Sequence, residues 1–157
     1  RYFNAAGYDK ENRILNLENK PQNLIPVVME CAAGIRQNMQ IFGDDYNTPD
    51  GTCLRDYIHV TDLAKAHIKA LRKINDNNTI FINLGTGYTH SVYDVIRTVE
   101  KITLEKINYS VTDRREGDPS NLYSSSSLAK ESLDWTAKNS DLENIINTTW
   151  NIYKTQV

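Results

Sequence analysis

Apolar residues recur at helical spacing in several segments of the chain. The first segment begins behind Asn23, a good N-cap residue, and tolerates Pro26 because proline fits the first turn of a helix. Its apolar positions are Leu24, Val27, Val28, Cys31 and Ile35. The second segment, capped by Thr61 or Asp62, has its apolar positions at Leu63, Ala66, Ala70, Leu71 and Ile74. Both patterns predict amphipathic helices.

The second half of the chain contains further helical patterns. A third helix is predicted from Ser91, because Ser91 and Asp94 have the spacing of a capping box. Its apolar positions are Val92, Val95, Ile96, Val99 and Ile102. Two more helices are predicted at 128–133 and 142–153.

Strands are predicted where apolar residues run together or alternate. Short strands are expected at 1–3 and 41–43, and alternation at 107–111 predicts a half-exposed strand. The nearly continuous apolar run 80–84 is typical of a strand buried on both faces of a parallel sheet. Because helices alternate with strands, the sequence predicts an α/β fold with a mostly parallel sheet.

Composition narrows the classes of partner. The chain has 157 residues, enough for one domain, with 39% hydrophobic residues, 24% charged residues and a net charge of -2. These values give no electrostatic footprint for nucleic acid or an anionic membrane, which leaves small molecules and proteins as partners. No apolar run approaches the roughly 20 residues of a membrane span, and a cytoplasmic location is expected. Cys31 and Cys53 are expected to be free thiols.

Arginines provide the first candidate chemistry. Arg55 lies between a glycine-containing loop and an apolar run, where its planar guanidinium group is suited to bind a diphosphate. A structural ion pair between Arg55 and either Asp56 or Asp50 is the alternative. Further along, Arg114 and Arg115 are suited to phosphate, and Asp118 to the hydroxyls of a ribose, although a solvated charged turn remains open for the segment 114–118.

Several other motifs are weaker. Asn4 follows the predicted strand 1–3, at the end where open α/β sheets bind ligands, but a simple turn residue explains it equally well. The turn 85–87 lacks the third glycine of a dinucleotide fingerprint, because that position is His90. The acidic loop 44–52 lacks the spacing of a calcium loop, and the three histidines lack the spacing of a zinc site. No metal is expected.

The motifs, taken in order, resemble the UDP-glucose 4-epimerase family of extended short-chain dehydrogenases/reductases. The match includes the segments 1–4, 23–26, 42–52, 55–64, 83–87, 91–92 and 114–118, and it extends to the helix ending near Tyr153. The most specific part is the block that runs from Phe42 to Val60. Related nucleotide-sugar dehydratases have a shorter loop in that block.

The resemblance implies that residues 1–157 form the carboxy-terminal UDP-sugar-binding part of an epimerase, without the amino-terminal NAD-binding Rossmann half. The chain would supply the completing strands and helices of a Rossmann-type parallel sheet together with the small substrate-binding domain. NAD would be bound mainly by the absent half, with Tyr2 and Phe3 on the cofactor side. Substrate contacts would come from Asn4, Asn23, Leu24, Gln40, Phe42, Arg55, Val92, Arg115, Asp118 and Leu122.

The resemblance also implies a reaction. UDP-glucose and UDP-galactose are interconverted through a 4-keto intermediate, with hydride passed to bound NAD and returned. The family's base is a tyrosine with a lysine four positions later, and none of the nine tyrosines has that partner. The chain alone is therefore expected to be inactive, with no catalytic residue of its own; a homodimer is usual when the protein is complete. An inactive UDP-sugar-binding fragment or a truncated, partly unfolded product is the alternative.

Some positions depart from the family pattern. Cys53 and Leu54 replace a usual Gly-Val, Thr89 replaces a glycine, and Asp134 replaces the glycine before Trp135. Each substitution for glycine removes a residue that tolerates positive φ, so the geometry of the phosphate site is in question. Leu122 occupies a sugar-pocket position, and its intermediate size leaves open whether N-acetylhexosamines are accepted.

Overall fold

A computed structural model of the chain describes residues 1–74 and 79–156. Its helices are α1 (Leu24–Ala32), α2 (Val60–Leu71), α3 (Val92–Thr103), α4 (Ser127–Leu133) and α5 (Leu142–Tyr153). Its strands are β1 (Asn4–Ala6), β2 (Met39–Phe42), β3 (Leu54–Arg55), β4 (Tyr57–His59), β5 (His90–Ser91), β6 (Tyr109–Thr112) and β7 (Asn121–Leu122). All five predicted helices are present, and the predicted α/β class is confirmed.

The strands form three small sheets, in which parallel pairing predominates. β1 pairs with β4, and β2 pairs with β6, both in parallel. In the third sheet, β3 lies between β5 and β7, parallel to β7 and antiparallel to β5. These pairings bring segments distant in sequence, such as 39–42 and 109–112, side by side.

Two hydrophobic clusters hold these elements together. In the larger cluster, α1, α3 and α5 pack together through fully buried side chains such as Val28, Ile96 and Ile145. In the smaller cluster, β4, α2 and α4 meet around Ile58, with Trp135 beside them. The helices of the larger cluster thus pack against β2, and those of the smaller cluster pack against β4.

Helix caps follow local sequence in one case and tertiary contacts in another. The predicted capping box at Ser91 and Asp94 is confirmed, with both reciprocal hydrogen bonds present. The predicted cap of α2 is wrong, because His59 is the N-cap and its Nδ1 accepts a hydrogen bond from the backbone N–H of Thr61 at 3.0 Å. The Asp62 carboxylate is buried and instead accepts hydrogen bonds from the side chains of Asn139 and Ser140. Asn23 is the N-cap of α1 without a side-chain capping bond.

Two strand predictions need correction. The first strand is Asn4–Ala6 rather than 1–3. The run 80–84 is not a strand buried on both faces. Its backbone forms hydrogen bonds with Arg1: the Leu84 N–H donates to the Arg1 carbonyl at 2.8 Å, and the Arg1 amino group donates to the Ile82 carbonyl at 2.7 Å. Ile80 and Phe81 are exposed at 58% and 67%, whereas Leu84 is buried. The apolar residues of this run would be stabilised by burial, but no described element packs over its first residues.

The substitutions for glycine have different consequences. Cys53 and Thr89 do not adopt positive φ, so neither residue strains the backbone. Asp134 does adopt the left-handed conformation, with φ of 47°, at the end of α4. A non-glycine residue costs about 1 kcal/mol in this conformation, although aspartate tolerates it better than most. Cys31 and Cys53 are both free thiols.

Candidate functional site

A cavity of about 630 Å³ opens between β1, the start of α1, β2, β3 and the turn 115–118. This volume is in the range of small-molecule sites, roughly 300 to 1,000 Å³. Its wall includes Phe3 and all but one of the ten residues predicted to contact substrate. The nine are Asn4, Asn23, Leu24, Gln40, Phe42, Arg55, Val92, Arg115 and Asp118. Residues from six separate parts of the chain therefore converge on one volume.

Arg55 is fixed at the cavity by three acceptors. Its guanidinium donates to Asp118 Oδ1 at 2.6 Å, to Pro119 O at 2.8 Å and to Leu54 O at 2.8 Å. The Arg55 side chain is 13% exposed and that of Asp118 is 32% exposed, so the pair is partly desolvated. Arg55 is therefore ion-paired, as the structural alternative proposed, but with Asp118 instead of Asp56 or Asp50. The two polar groups predicted for phosphate and ribose lie in direct contact.

The neighbouring arginines 114 and 115 have different environments. The Arg115 guanidinium stacks over the Phe42 ring, 3.7 Å from its centroid, and lines the cavity. Arg114 turns away, donates from Nε to Asp45 Oδ1 at 2.6 Å and stacks over Tyr46. Because of the adjacent guanidinium, the pKa of the Asp45 carboxyl is lowered. Only Arg115 of the two is placed to meet a ligand in this cavity.

Asp56 organises the wall behind Asn4. Its buried carboxylate accepts hydrogen bonds from Thr86 Oγ1 at 2.6 Å and from the backbone N–H of Gly87 at 3.0 Å. The backbone carbonyl of Asp56 accepts a bond from Asn4 Nδ2 at 3.2 Å. Gly85 is required here, because a Cβ at that position would lie 2.1 Å from Ser124 Oγ. Asp56 therefore holds the turn 85–87 and orients Asn4, which explains why it is not the partner of Arg55.

The loop 44–52 positions Val92 at the cavity. Asp50 accepts hydrogen bonds from the Thr52 backbone N–H at 3.0 Å and from Thr52 Oγ1 at 2.8 Å. Thr52 Oγ1 in turn accepts a bond from the Val92 backbone N–H at 3.1 Å. Burial opposes ionisation of Asp50, but the hydrogen bonds that its carboxylate accepts from Ser91 Oγ and from Thr52 outweigh burial and lower its pKa. The loop 44–52 is thus hydrogen-bonded to the start of α3.

Two predicted site residues lie outside the cavity wall. Leu122 is in β7, opposite Arg55 in the parallel register, but it does not line the cavity. Tyr2 packs edge-on against His67, with the ring centroids 6.3 Å apart, and is 47% exposed. Their predicted contacts with sugar and cofactor stay predictions.

The cavity wall also includes polar residues for which no ligand contact was predicted, among them Gln22, Arg36, Asn38, Cys53 and Tyr57. Burial raises the pKa of Tyr57 far above its ordinary value, so this phenol stays protonated. Tyr57 could have been found, because it lies two positions after Arg55 in the sequence. No sequence pattern indicated Arg36 as a cavity residue, because its position there depends on the turn between α1 and β2.

Other kinds of site were sought among the described residues. Residues 1–74 and 79–156 contain no group of three or more His, Cys, Asp or Glu side chains arranged to hold a metal ion. None of the helices in these ranges combines the length and apolar character that a membrane crossing needs.

Known proteins resemble this chain in sequence. Residues 1–85 match the NAD dependent epimerase/dehydratase family. The UDP-glucose 4-epimerase of Halalkalibacterium halodurans is 43% identical over 155 residues, which cover 98% of this chain and 46% of that relative. The UDP-glucose 4-epimerase of Homo sapiens is 48% identical over 139 residues, covering 87% of this chain and 40% of the human protein. The chain thus spans about half the length of the curated relatives it matches.

Solved structures also resemble it. A UDP-glucose-4-epimerase from Stenotrophomonas maltophila, with bound NAD and formylated UDP-arabinopyranose, superposes with a TM-score of 0.92 at 40% identity. The alignment covers 99% of this chain and 47% of that one. The enzyme from Bifidobacterium longum, in complex with NAD+ and UDP, gives a TM-score of 0.88 at 36% identity and covers 99% and 46% of the two chains.

Proposed function

The chain belongs to the NAD dependent epimerase/dehydratase family, and on that basis we propose that it is the UDP-sugar-binding carboxy-terminal part of a UDP-glucose 4-epimerase. The similarity to curated UDP-glucose 4-epimerases confirms the resemblance seen in the sequence. Because the chain spans only 46% of such a relative, its substrate, its activity and its partners are parts of the proposal.

One observation supports the proposal above all others. Arg55 and Arg115 are sixty positions apart in the chain, yet they line the same cavity, with Asp118 beside them. Two guanidinium groups and a carboxylate are the donors and acceptor that a pyrophosphate joined to a ribose needs. Had the two arginine heads lain on opposite sides of the molecule, a UDP-sugar site would have had no basis.

The arrangement suits an enzyme that holds its nucleotide firmly and its sugar loosely. Epimerisation at C4 requires the 4-keto hexose to present both of its faces in turn, so the sugar has to rotate while the nucleotide stays fixed. Charge-assisted hydrogen bonds from Arg55 and Arg115 would provide the anchor. Leu122, in β7 next to Arg55, would contact the sugar.

NAD would complete the site from the amino-terminal half. When bound, it would accept hydride from the hexose and return it. Phe3 fits a position beside the nicotinamide, because it lines the cavity and remains 46% exposed. Tyr2 would contact the same cofactor from outside the present cavity wall. The general base and its lysine would also come from that half, so we propose that residues 1–157 alone are inactive.

The remaining expectations follow from this activity. A homodimer of the complete protein, a cytoplasmic location and a role in galactose metabolism stay predictions. A fragment that binds UDP-sugars without catalysis is the second candidate, and it shares the cavity described above. The two candidates differ only in whether an amino-terminal half restores turnover.

Calorimetric titration of the 157-residue chain with UDP-glucose tests the proposed site. The matched pair Arg115→Gln and Arg114→Gln changes one arginine that lines the cavity and one that is tied to Asp45. Loss of a charged hydrogen bond predicts about tenfold or greater weakening for Arg115→Gln and little change for Arg114→Gln. Absence of saturable binding by the folded wild-type chain, or equal effects of both substitutions, would refute the assignment.

A further inference from the structure

The carboxylate of Asp50 is not part of the cavity wall, yet it joins two segments that lead into that wall. Its Oδ1 accepts hydrogen bonds from the Thr52 backbone N–H at 3.0 Å and from Thr52 Oγ1 at 2.8 Å. Its Oδ2 accepts a hydrogen bond from Ser91 Oγ. Thr52 and Ser91 are 0% and 2% exposed, so both hydroxyl groups are shielded from water. One carboxylate therefore ties the residues before β3 to the residue before α3.

The bond to Thr52 leads to Val92. The first N–H groups of a helix have no partner within the helix, so they need acceptors from elsewhere. Helix α3 begins at Val92, whose N–H donates to Thr52 Oγ1 at 3.1 Å. The same hydroxyl donates its own proton to Asp50, which fixes its orientation. Because Val92 lines the cavity, Asp50 acts through Thr52 on one part of the cavity wall.

The bond to Ser91 leads toward Arg55. In the antiparallel pair of β3 and β5, Leu54 lies opposite Ser91, and Arg55 lies opposite His90. Each of these strands has only two residues, so the ladder between them supplies few hydrogen bonds. The bond from Ser91 to Asp50 adds a further restraint on β5. Because Arg55 lines the cavity, Asp50 also acts on a second part of its wall.

The loop that carries Asp50 has a fixed shape. Gly51 adopts a φ of 83°, and a Cβ at this position would lie 1.8 Å from the Asp44 carbonyl oxygen, so the turn requires glycine. The Gly51 carbonyl accepts a hydrogen bond from the Tyr46 backbone N–H at 2.8 Å. The carboxylate is thus presented to its two hydroxyl partners from a closed turn.

We propose that Asp50 is a positioning residue of the UDP-sugar site, which holds Val92 and the strand beside Arg55 in place without touching the ligand. A carboxylate suits this role because it only accepts hydrogen bonds and has one oxygen for each hydroxyl partner. Contacts that are fixed in advance strengthen binding, because less conformational freedom is lost when the ligand binds. The inference rests on the proposed UDP-sugar function and extends it to a residue outside the cavity wall.

Calorimetric titration of the 157-residue chain with UDP tests this role. Asp50→Ala removes both acceptor oxygens and is expected to weaken UDP binding about fivefold or more, as loss of one hydrogen bond predicts. Amide hydrogen exchange is expected to become faster at residues 90–92, because their restraint is lost. The matched control is Asp45→Ala, a carboxylate of the same loop that is bonded to Arg114. Neither residue lines the cavity, so this variant is expected to keep the wild-type affinity.

The outcomes separate this inference from the proposed function. A folded Asp50→Ala variant with wild-type affinity for UDP would overturn the positioning role, since Asp50 would then stabilise the loop alone. Equal weakening by Asp45→Ala would also overturn it, as would weaker binding with unchanged exchange at residues 90–92. A folded wild type that does not bind UDP would instead refute the proposed function itself.

A second variant decides the matter if thermal melting shows that Asp50→Ala does not fold. Thr52→Val keeps the shape of the side chain but removes the hydroxyl that links Asp50 to Val92. It is expected to weaken UDP binding about fivefold or more, and an unchanged affinity would overturn the role.

Discussion

The cavity side of the molecule and the rim formed by residues 1–2, the outer face of α2 and residues 80–81 differ in how far their apolar side chains are buried. Behind the cavity, α1, α3 and α5 bury side chains such as Val28 and Ile145 completely. On the rim, Tyr2, Leu71 and Phe81 are 47%, 66% and 67% exposed. The comparison teaches that the described residues pack fully behind the cavity but leave the apolar side chains of the rim without a covering layer.

The largest expected effect concerns that uncovered rim. If the amino-terminal half of the Halalkalibacterium halodurans epimerase is co-expressed with this chain, we expect UDP-galactose to form from UDP-glucose. The rate should exceed the uncatalysed one by about a millionfold or more, as is ordinary for enzymes. Hydrogen exchange should show new protection at residues 80–84, because apolar surface there becomes covered. Absence of both turnover and protection would contradict the prediction that the amino-terminal half covers the rim.

The second prediction compares equal truncations on the two sides. Ile145 is fully buried, whereas Ile80 is 58% exposed. Ile145→Ala should lower the free energy of unfolding by about 2 to 5 kcal/mol, because it leaves a cavity in a packed core. Ile80→Ala should change it by less than about 0.5 kcal/mol. Urea denaturation of the isolated chain measures both values. Similar losses for the two variants would show that the rim is covered in solution.

The third prediction concerns the Arg55 and Asp118 pair at the cavity. Arg55→Gln and Asp118→Asn should each weaken UDP binding about 10- to 100-fold, because each change removes a charged contact. The double variant should lose less than the sum, with a coupling of about 0.5 to 3 kcal/mol between residues in contact. Calorimetric titration with UDP measures the affinities of the wild type, the two single variants and the double variant. The control is the exposed pair Lys69 and Asp134, whose removal should leave UDP affinity unchanged.

The smallest expected effect is a dependence of stability on pH. Burial is the main factor that lowers the pKa of His59 below its ordinary value of 6.5, despite the opposing charges of Asp62 and Asp141. The unfolded chain therefore binds the proton more readily, so stability is lost as pH falls through about 6.5 toward the folded-state pKa. His59→Gln should remove this dependence. Melting temperatures between about pH 7.5 and 5 measure it.

Carboxylates set a separate pH window that tests the assignment to His59. The pKa values of Asp50 and Asp94 are lowered from 3.8 by hydrogen bonds, so their contribution is lost only below about pH 4. A wild-type curve that is flat between pH 7.5 and 5, or a His59→Gln variant with an unchanged slope, would contradict the prediction.

Much of the fold could be predicted because local spacing encodes it. Apolar periodicity located all five helices, and the Ser91 capping box was found since both of its partners lie within one turn. The cap of α2 could not be found in this way. The Asp62 carboxylate is taken by Asn139 and Ser140, more than seventy positions away, and His59 fills the capping role.

The failed strand prediction shows the limit of apolar patterns. The apolar run 80–84 is typical of a buried strand, but whether it is buried depends on which elements pack over it. Here Leu84 is buried, while Ile80 and Phe81 are exposed. An apolar pattern shows that a segment can form a buried strand, and the elements packed against the segment determine whether it does.

The sequence by itself determined the helices, the α/β class and the chemical types of the residues predicted to contact a ligand, because spacing and side-chain chemistry are local properties. Only the tertiary structure decided that Arg55 and Arg115 share one cavity, that Arg114 turns to Asp45, and that Arg36 lines the cavity. These outcomes depend on strand pairing across long sequence separations, such as 39–42 with 109–112, which no local pattern encodes.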